Sequence, residues 1–159
     1  MKELHFKQID EKMYHEQMDN GLDVYILPKK GFSKTFVTFT TKYGSIDNTF
    51  TPMGQNDVVN VPDGIAHFLE HKMFEKEDGE VFQKFSGFGA SANAFTSFTR
   101  TAYLFSSTNH LYENTETLLN FVQEPYFTTS TVEKEKGIIG QEITMYDDLP
   151  AWRLYFGTI

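Results

Sequence analysis

Near the start of the chain, apolar and polar residues alternate on both sides of an Asn-Gly pair. Tyr14-His15-Glu16-Gln17-Met18 leads into Asp19-Asn20-Gly21, and Leu22-Asp23-Val24-Tyr25-Ile26-Leu27 follows, closed by Pro28. Asn and Gly accept the positive φ that a tight hairpin demands, so the pattern predicts two paired strands. A further strand is expected from Thr35 to Tyr43, with Val37, Phe39, Thr41 and Tyr43 on one face. The chain then turns polar from Gly44 to Pro62, the composition of a loop. From Gly64 to Phe74 the period changes: Ile65, Phe68, Leu69 and Met73 recur at helical spacing, which predicts the first helix and its apolar side. A short helical piece is expected near Glu80 to Phe85. Gly87 and Gly89 then break the chain before a second hairpin, Ser91 to Ser97 against Thr101 to Ser106. Leu111, Thr115, Leu118, Leu119 and Val122 mark a helix that Pro125 stops. Ser130-Thr131-Val132-Glu133 has the form of a capping box and opens a last helix running to about Asp147, before Pro150. Hairpins and helices in irregular order, without a repeating strand-helix rhythm, give an α+β class.

Composition narrows the function. A chain of 159 residues is one domain or most of one, and 40% hydrophobic residues exclude a disordered polyampholyte. The 16 Phe and 8 Tyr point to a core built largely of flat rings. A net charge of -8, with no basic cluster longer than Lys29-Lys30, argues against nucleic acid as a partner. No apolar run is long enough to span a membrane, and Met1-Lys2-Glu3-Leu4-His5 is too polar for a signal peptide, so a cytoplasmic location is expected. With no Cys in the chain, a metal would have to be held by His and carboxylate.

Such a set exists. His67-Phe68-Leu69-Glu70-His71 lies on the first predicted helix, where positions i, i+3 and i+4 share one face. Two imidazoles and a carboxylate beside an apolar stripe are the donor types that Zn²⁺ takes, and a catalytic site of this kind has three protein ligands and an open position. The third ligand is expected from the last helix. There Glu135 and Glu142 stand two turns apart with Ile138 and Ile139 between them, and a carboxylate in an apolar stripe needs an ion or another partner. Glu142 is the candidate ligand and Glu135 its supporting neighbour. His5, His15 and His110 show no such spacing and read as surface or structural histidines.

Gly64-Ile65-Ala66-His67-Phe68-Leu69-Glu70-His71-Lys72-Met73-Phe74 resembles the active-site signature of the pitrilysin family of zinc peptidases, which includes insulysin and the mitochondrial processing peptidase. Glu135-Lys136-Gly137-Ile138-Ile139-Gly140-Gln141-Glu142 resembles that family's second element, and Ser91-Ala92-Asn93-Ala94-Phe95-Thr96-Ser97 resembles its substrate-pairing strand. The resemblance implies an antiparallel or mixed sheet with helices packed on one side. It implies one Zn²⁺ held by His67, His71 and Glu142, with a catalytic pair of Glu70 as general base and Glu135 in support. An extended peptide substrate would lie along Ser91, Ala92, Asn93, Ala94, Phe95 and Thr96. Family members are built from paired domains. Residues 1–159 therefore correspond to an N-terminal zinc-binding peptidase domain, incomplete at its C-terminus, whose partner is a second such domain or a homologous subunit. The apolar run Ala151 to Phe156 reaches the chain end without a turn signal, as a packing surface would.

The implied reaction is zinc-dependent hydrolysis of peptide bonds. A rival reading is a peptide-binding subunit without catalysis, which would be expected to have lost His67, Glu70, His71 or Glu142; all four are present. Metal storage or sensing would call for Cys- or His-rich tracts, and there are none.

Overall fold

The computed structural model describes residues 1–158, in two compact units, Met1–Ser33 and the residues from Lys34 onward. The first unit is an antiparallel sheet of three strands, β1 (Lys2–Phe6), β2 (Glu11–Gln17) and β3 (Asp23–Ile26), in that order. The β2–β3 hairpin turns where Asn-Gly predicts. Gly21 takes φ +87°, its N–H donates to Met18 O at 2.9 Å, and Leu22 N–H donates to Asn20 Oδ1 at 3.1 Å. Strand β1 carries no alternation that would announce it. Only Leu4 is half-buried, and the Lys12–Glu3 ion pair at 2.9 Å joins it to β2.

The second unit contains the sheet that matters for function: β4 (Thr35–Thr41), then, across the intervening elements, β9 (Ser91–Thr96) and β10 (Thr101–Ser107), in the order β4-β10-β9. Between them come the two-residue strands β5 (Thr49–Phe50) and β6 (Val59–Asn60), which pair inside the stretch expected to be loop. They are followed by helix α1 (Ile65–Phe74), the small pair β7 (Glu75–Lys76) and β8 (Gly79–Glu80), and helix α2 (Val81–Gly87). Helices α3 (Leu111–Phe121), α4 (Thr129–Asp147) and α5 (Pro150–Thr158) complete the chain. Every strand pairing among the described residues is antiparallel, which decides between the two expected sheet forms.

Register explains the core. Tyr103 stands opposite Phe39 and Ala94, and Phe105 opposite Val37 and Ala92, so these side chains share one face of the sheet. Phe74 of α1, Val81 and Phe85 of α2, and Leu118 and Phe121 of α3 pack onto that face. Phe36, Asn93 and Phe95 point from the opposite face and stay exposed. Strand β9 is an edge: β10 lies on one side of it, and its other edge is free of strands among the described residues. The turn joining β9 to β10 is locked by Gly44, where a Cβ would stand 2.5 Å from Ser97 O, Phe98 O and Arg100 N. Ser45 N–H donates to Ser97 O and Ile46 N–H to Phe98 O across this close approach.

Four sequence expectations are corrected. The buried residues of α1 are Ala66, Glu70, Lys72 and Phe74, whereas Ile65, Phe68, Leu69 and Met73 are only half-buried. The buried side of α3 is Asn114, Leu118 and Phe121, with Leu111 and Leu119 exposed. Helix α4 is capped by Thr128, not by Ser130 and Glu133: Thr128 Oγ1 accepts from Thr131 N–H at 3.2 Å and Thr131 Oγ1 accepts from Thr128 N–H at 3.1 Å. Helix α4 ends at Asp147 as expected but is not the last helix: Pro150 opens α5, as a proline at a first helical position can. Trp152, Leu154, Tyr155 and Phe156 of α5 are all exposed.

Candidate metal centre

Helix α1 sets His67 and His71 one turn apart, with ring centroids separated by 4.6 Å and planes at 84°. Helix α4 packs against α1. From Glu135 onward its covered positions are Glu135, Ile139, Glu142 and Tyr146, of which Glu135 and Glu142 meet the histidines of α1, while Ile138, expected on that stripe, is exposed. Glu142 Oε2 lies 3.6 Å from both His67 Nε2 and His71 Nε2. The three donor atoms fall within 4.8 Å of one another. At 3.6 Å none of these contacts is a hydrogen bond. A tetrahedral ion with ligands at about 2.0–2.1 Å has ligand-to-ligand edges of about 3.4 Å, so the spacing fits three ligands around one such ion. All three side chains are between a quarter and a third exposed, which leaves an approach for a fourth ligand.

The other donor of His71 is engaged. Its Nδ1 is 2.8 Å from Glu135 Oε1, and the Glu135 side chain is only 10% exposed. This bond places the proton on Nδ1 and the lone pair on Nε2, the nitrogen that faces Glu142, which is how a carboxylate orients a metal-binding imidazole.

Glu70 stands outside the triplet. It is 8% exposed, and its Oε2 accepts from Thr96 Oγ1 at 2.6 Å. Tyr103 lies nearby: burial pushes its phenol well above the ordinary tyrosine range, and the Glu70 carboxylate adds to the effect. A groove of about 330 Å³ opens beside these groups, lined by Glu70, His71, Phe74, Phe82, Asn93 and Ala94, together with Glu75, Glu80, Lys134, Glu135 and Ile138. The Phe74 and Phe82 rings in its lining stack 4.3 Å apart. A larger groove of about 680 Å³, lined by Lys76, Val81, Lys84 and Phe121 among others, contains none of the triplet.

Of the strand residues expected to meet substrate, Asn93 and Ala94 line the first groove. Ser91 and Phe95 are exposed on β9, Ala92 packs on the core, and Thr96 directs its hydroxyl to Glu70. The sequence reading missed Lys72. Its side chain is fully buried and paired with Glu75, and nothing in the local pattern announces a lysine that turns inward.

The family model described as Insulinase (Peptidase family M16) matches residues 59–155, which hold α1, β9, β10, all of α4 and most of α5. The chain belongs to this family. Among M16 relatives it is 72% identical, over 159 residues, to the zinc protease YmfH of Bacillus subtilis (strain 168), itself uncharacterised; the match covers 100% of this chain and 37% of that protein. A solved structure of an M16-like peptidase from Alicyclobacillus acidocaldarius is 47% identical, with a TM-score of 0.84 over 91% of this chain and 34% of that one. Pitrilysin, at 22% identity and TM-score 0.68 over 89% of this chain and 15% of its own, shares the fold. The chain thus spans 37% of the length of YmfH and 34% of that of the Alicyclobacillus acidocaldarius peptidase. No described helix is long and apolar enough to cross a membrane.

Proposed function

We propose that this chain is the zinc-binding part of an M16 endopeptidase that hydrolyses peptide bonds in peptides or unfolded polypeptide segments. The observation that carries the reading is the convergence of His67 Nε2, His71 Nε2 and Glu142 Oε2 within 4.8 Å. The Glu135–His71 bond and the free edge of β9 beside the groove support it. Zinc bound there supplies a Lewis acid that polarises a carbonyl and acidifies a water.

The chain's own residues do the rest. Glu70, the carboxylate of the α1 face that is not in the triplet, takes the proton of the attacking water and returns it to the leaving amine. Glu135 holds His71 in the tautomer that binds metal. Ala92, Asn93 and Ala94 offer backbone donors and acceptors to an extended peptide added to the sheet edge, antiparallel to β9. Residues beyond this third of the family's length, in a second M16 domain or a homologous subunit, form the opposing wall that closes on the peptide. Positioning of that kind can be worth about 7–11 kcal/mol when fully realised, so the chain alone is expected to bind zinc and hydrolyse poorly.

The test is digestion of an unstructured peptide by the protein in its longest natural form, as purified, after chelation, and after zinc is restored. Cleavage that disappears and returns with zinc is expected. Cleavage indifferent to chelation, or none in any state, contradicts the proposal.

A further inference from the structure

Resting on Glu70 as general base, we infer that Thr96 is its positioning residue: the threonine hydroxyl holds the carboxylate in place. Thr96 ends β9, and its side chain lies on the sheet face that α1 covers. The Thr96 Oγ1 to Glu70 Oε2 distance of 2.6 Å falls in the range of a hydroxyl donating to a charged carboxylate.

Behind Thr96 stands Thr101, its directly opposed partner on β10, with the two Oγ1 atoms 3.4 Å apart. Thr101 is 3% exposed, and its hydroxyl donates to Tyr43 O at 2.9 Å. A carbonyl has no proton to return, so the single proton of Thr101 is committed and its oxygen faces Thr96 as an acceptor only. Thr96 Oγ1 directs its own single proton to Glu70 Oε2. That bond fixes the carboxylate plane and leaves Oε1 for the water.

Thr96→Val keeps the shape and favours the strand, and removes only the hydroxyl. In the longest natural form of the protein with zinc bound, kcat for a peptide should fall about 10- to 100-fold, the usual loss when an outer partner of a metal-site group is removed. KM and zinc content should stay near wild type, and Thr96→Ser should restore most of kcat. Crystal structures of the zinc-loaded proteins give a readout independent of activity: the Glu70 carboxylate should be rotated in Thr96→Val and unmoved in Thr96→Ser. Retained kcat in Thr96→Val, equal impairment of the serine variant, or a Glu70 carboxylate unmoved in Thr96→Val overturns the inference. If wild type with zinc cleaves nothing, the proposed function fails instead, and the crystal structures still decide whether Thr96 positions Glu70.

Discussion

Removing the carboxylate of Glu135 should loosen zinc without touching a ligand. Glu135 Oε1 sits 2.8 Å from His71 Nδ1, and at 10% side-chain exposure the contact is little screened by water. While it holds, the imidazole is fixed in rotation and tautomer, with the Nε2 lone pair directed at the metal position. In Glu135→Ala the ring is free to turn, the proton can move to Nε2, and the nitrogen loses the basicity that a neighbouring carboxylate confers. Loss of such a partner lowers metal affinity about 10- to 100-fold, which corresponds to about 1.4–2.8 kcal/mol. Glu135→Gln retains an oxygen that accepts from Nδ1–H but no charge. Since a charge-assisted bond is roughly twice as strong as a neutral one, that variant should fall between alanine and wild type. His71→Ala, which deletes a ligand, should lose more than either. The assay is competition for zinc against a chromophoric chelator at one neutral pH. A Glu135→Ala affinity within about twofold of wild type would show that the 2.8 Å contact does not orient His71.

Glu70→Gln should keep zinc and lose about 10²- to 10⁴-fold in peptide hydrolysis, read as kcat at matched metal content; near-normal turnover would assign the base elsewhere. Phe105, with no exposure and its ring 5.6 Å from that of Phe85, should cost about 3–5 kcal/mol as Phe105→Ala in urea unfolding. Gly44→Ala places a Cβ 2.5 Å from three backbone atoms of the β9–β10 turn, so it should destabilise by at least about 1–3 kcal/mol; a neutral effect would mean that the turn shifts freely. Thr128→Ala removes the observed cap and should cost about 1 kcal/mol, whereas Ser130→Ala should be close to silent.

Much of the fold is legible because its signals are local. Asn20-Gly21 announces a hairpin by backbone preference alone, and the break at Gly87 and Gly89 followed by two strand-like runs marks the β9–β10 hairpin. The spacing of His67, Glu70, His71, Glu135 and Glu142 follows from helix geometry, so the juxtaposition of α1 with α4 could be anticipated from two short segments. What stayed hidden depends on distant partners. Lys72 turns inward because Glu75 meets it. Asn114 is buried because its amide donates to the carbonyls of Phe88, Asn109 and His110, the first of them 26 residues earlier in the chain. Hydrophobic periodicity assigns such residues to solvent, so it places the inward faces of α1 and α3 slightly away from where they lie. The Thr96 hydroxyl is hidden for the same reason: a strand pattern tells which face a side chain takes, and not that a carboxylate from a helix 26 residues away meets it there. Strand β1 and helix α5 lack a buried stripe, so amphipathic pattern has nothing to detect.

Metal analysis tests the central claim most directly. The protein, its His71→Ala form and its Glu142→Gln form are dialysed against trace zinc and their metal content is measured against protein concentration. The arrangement of His67, His71 and Glu142 predicts one zinc per chain in the wild type and loss of most of it in each variant. Wild type without zinc, or either variant holding as much as wild type, would contradict the assignment.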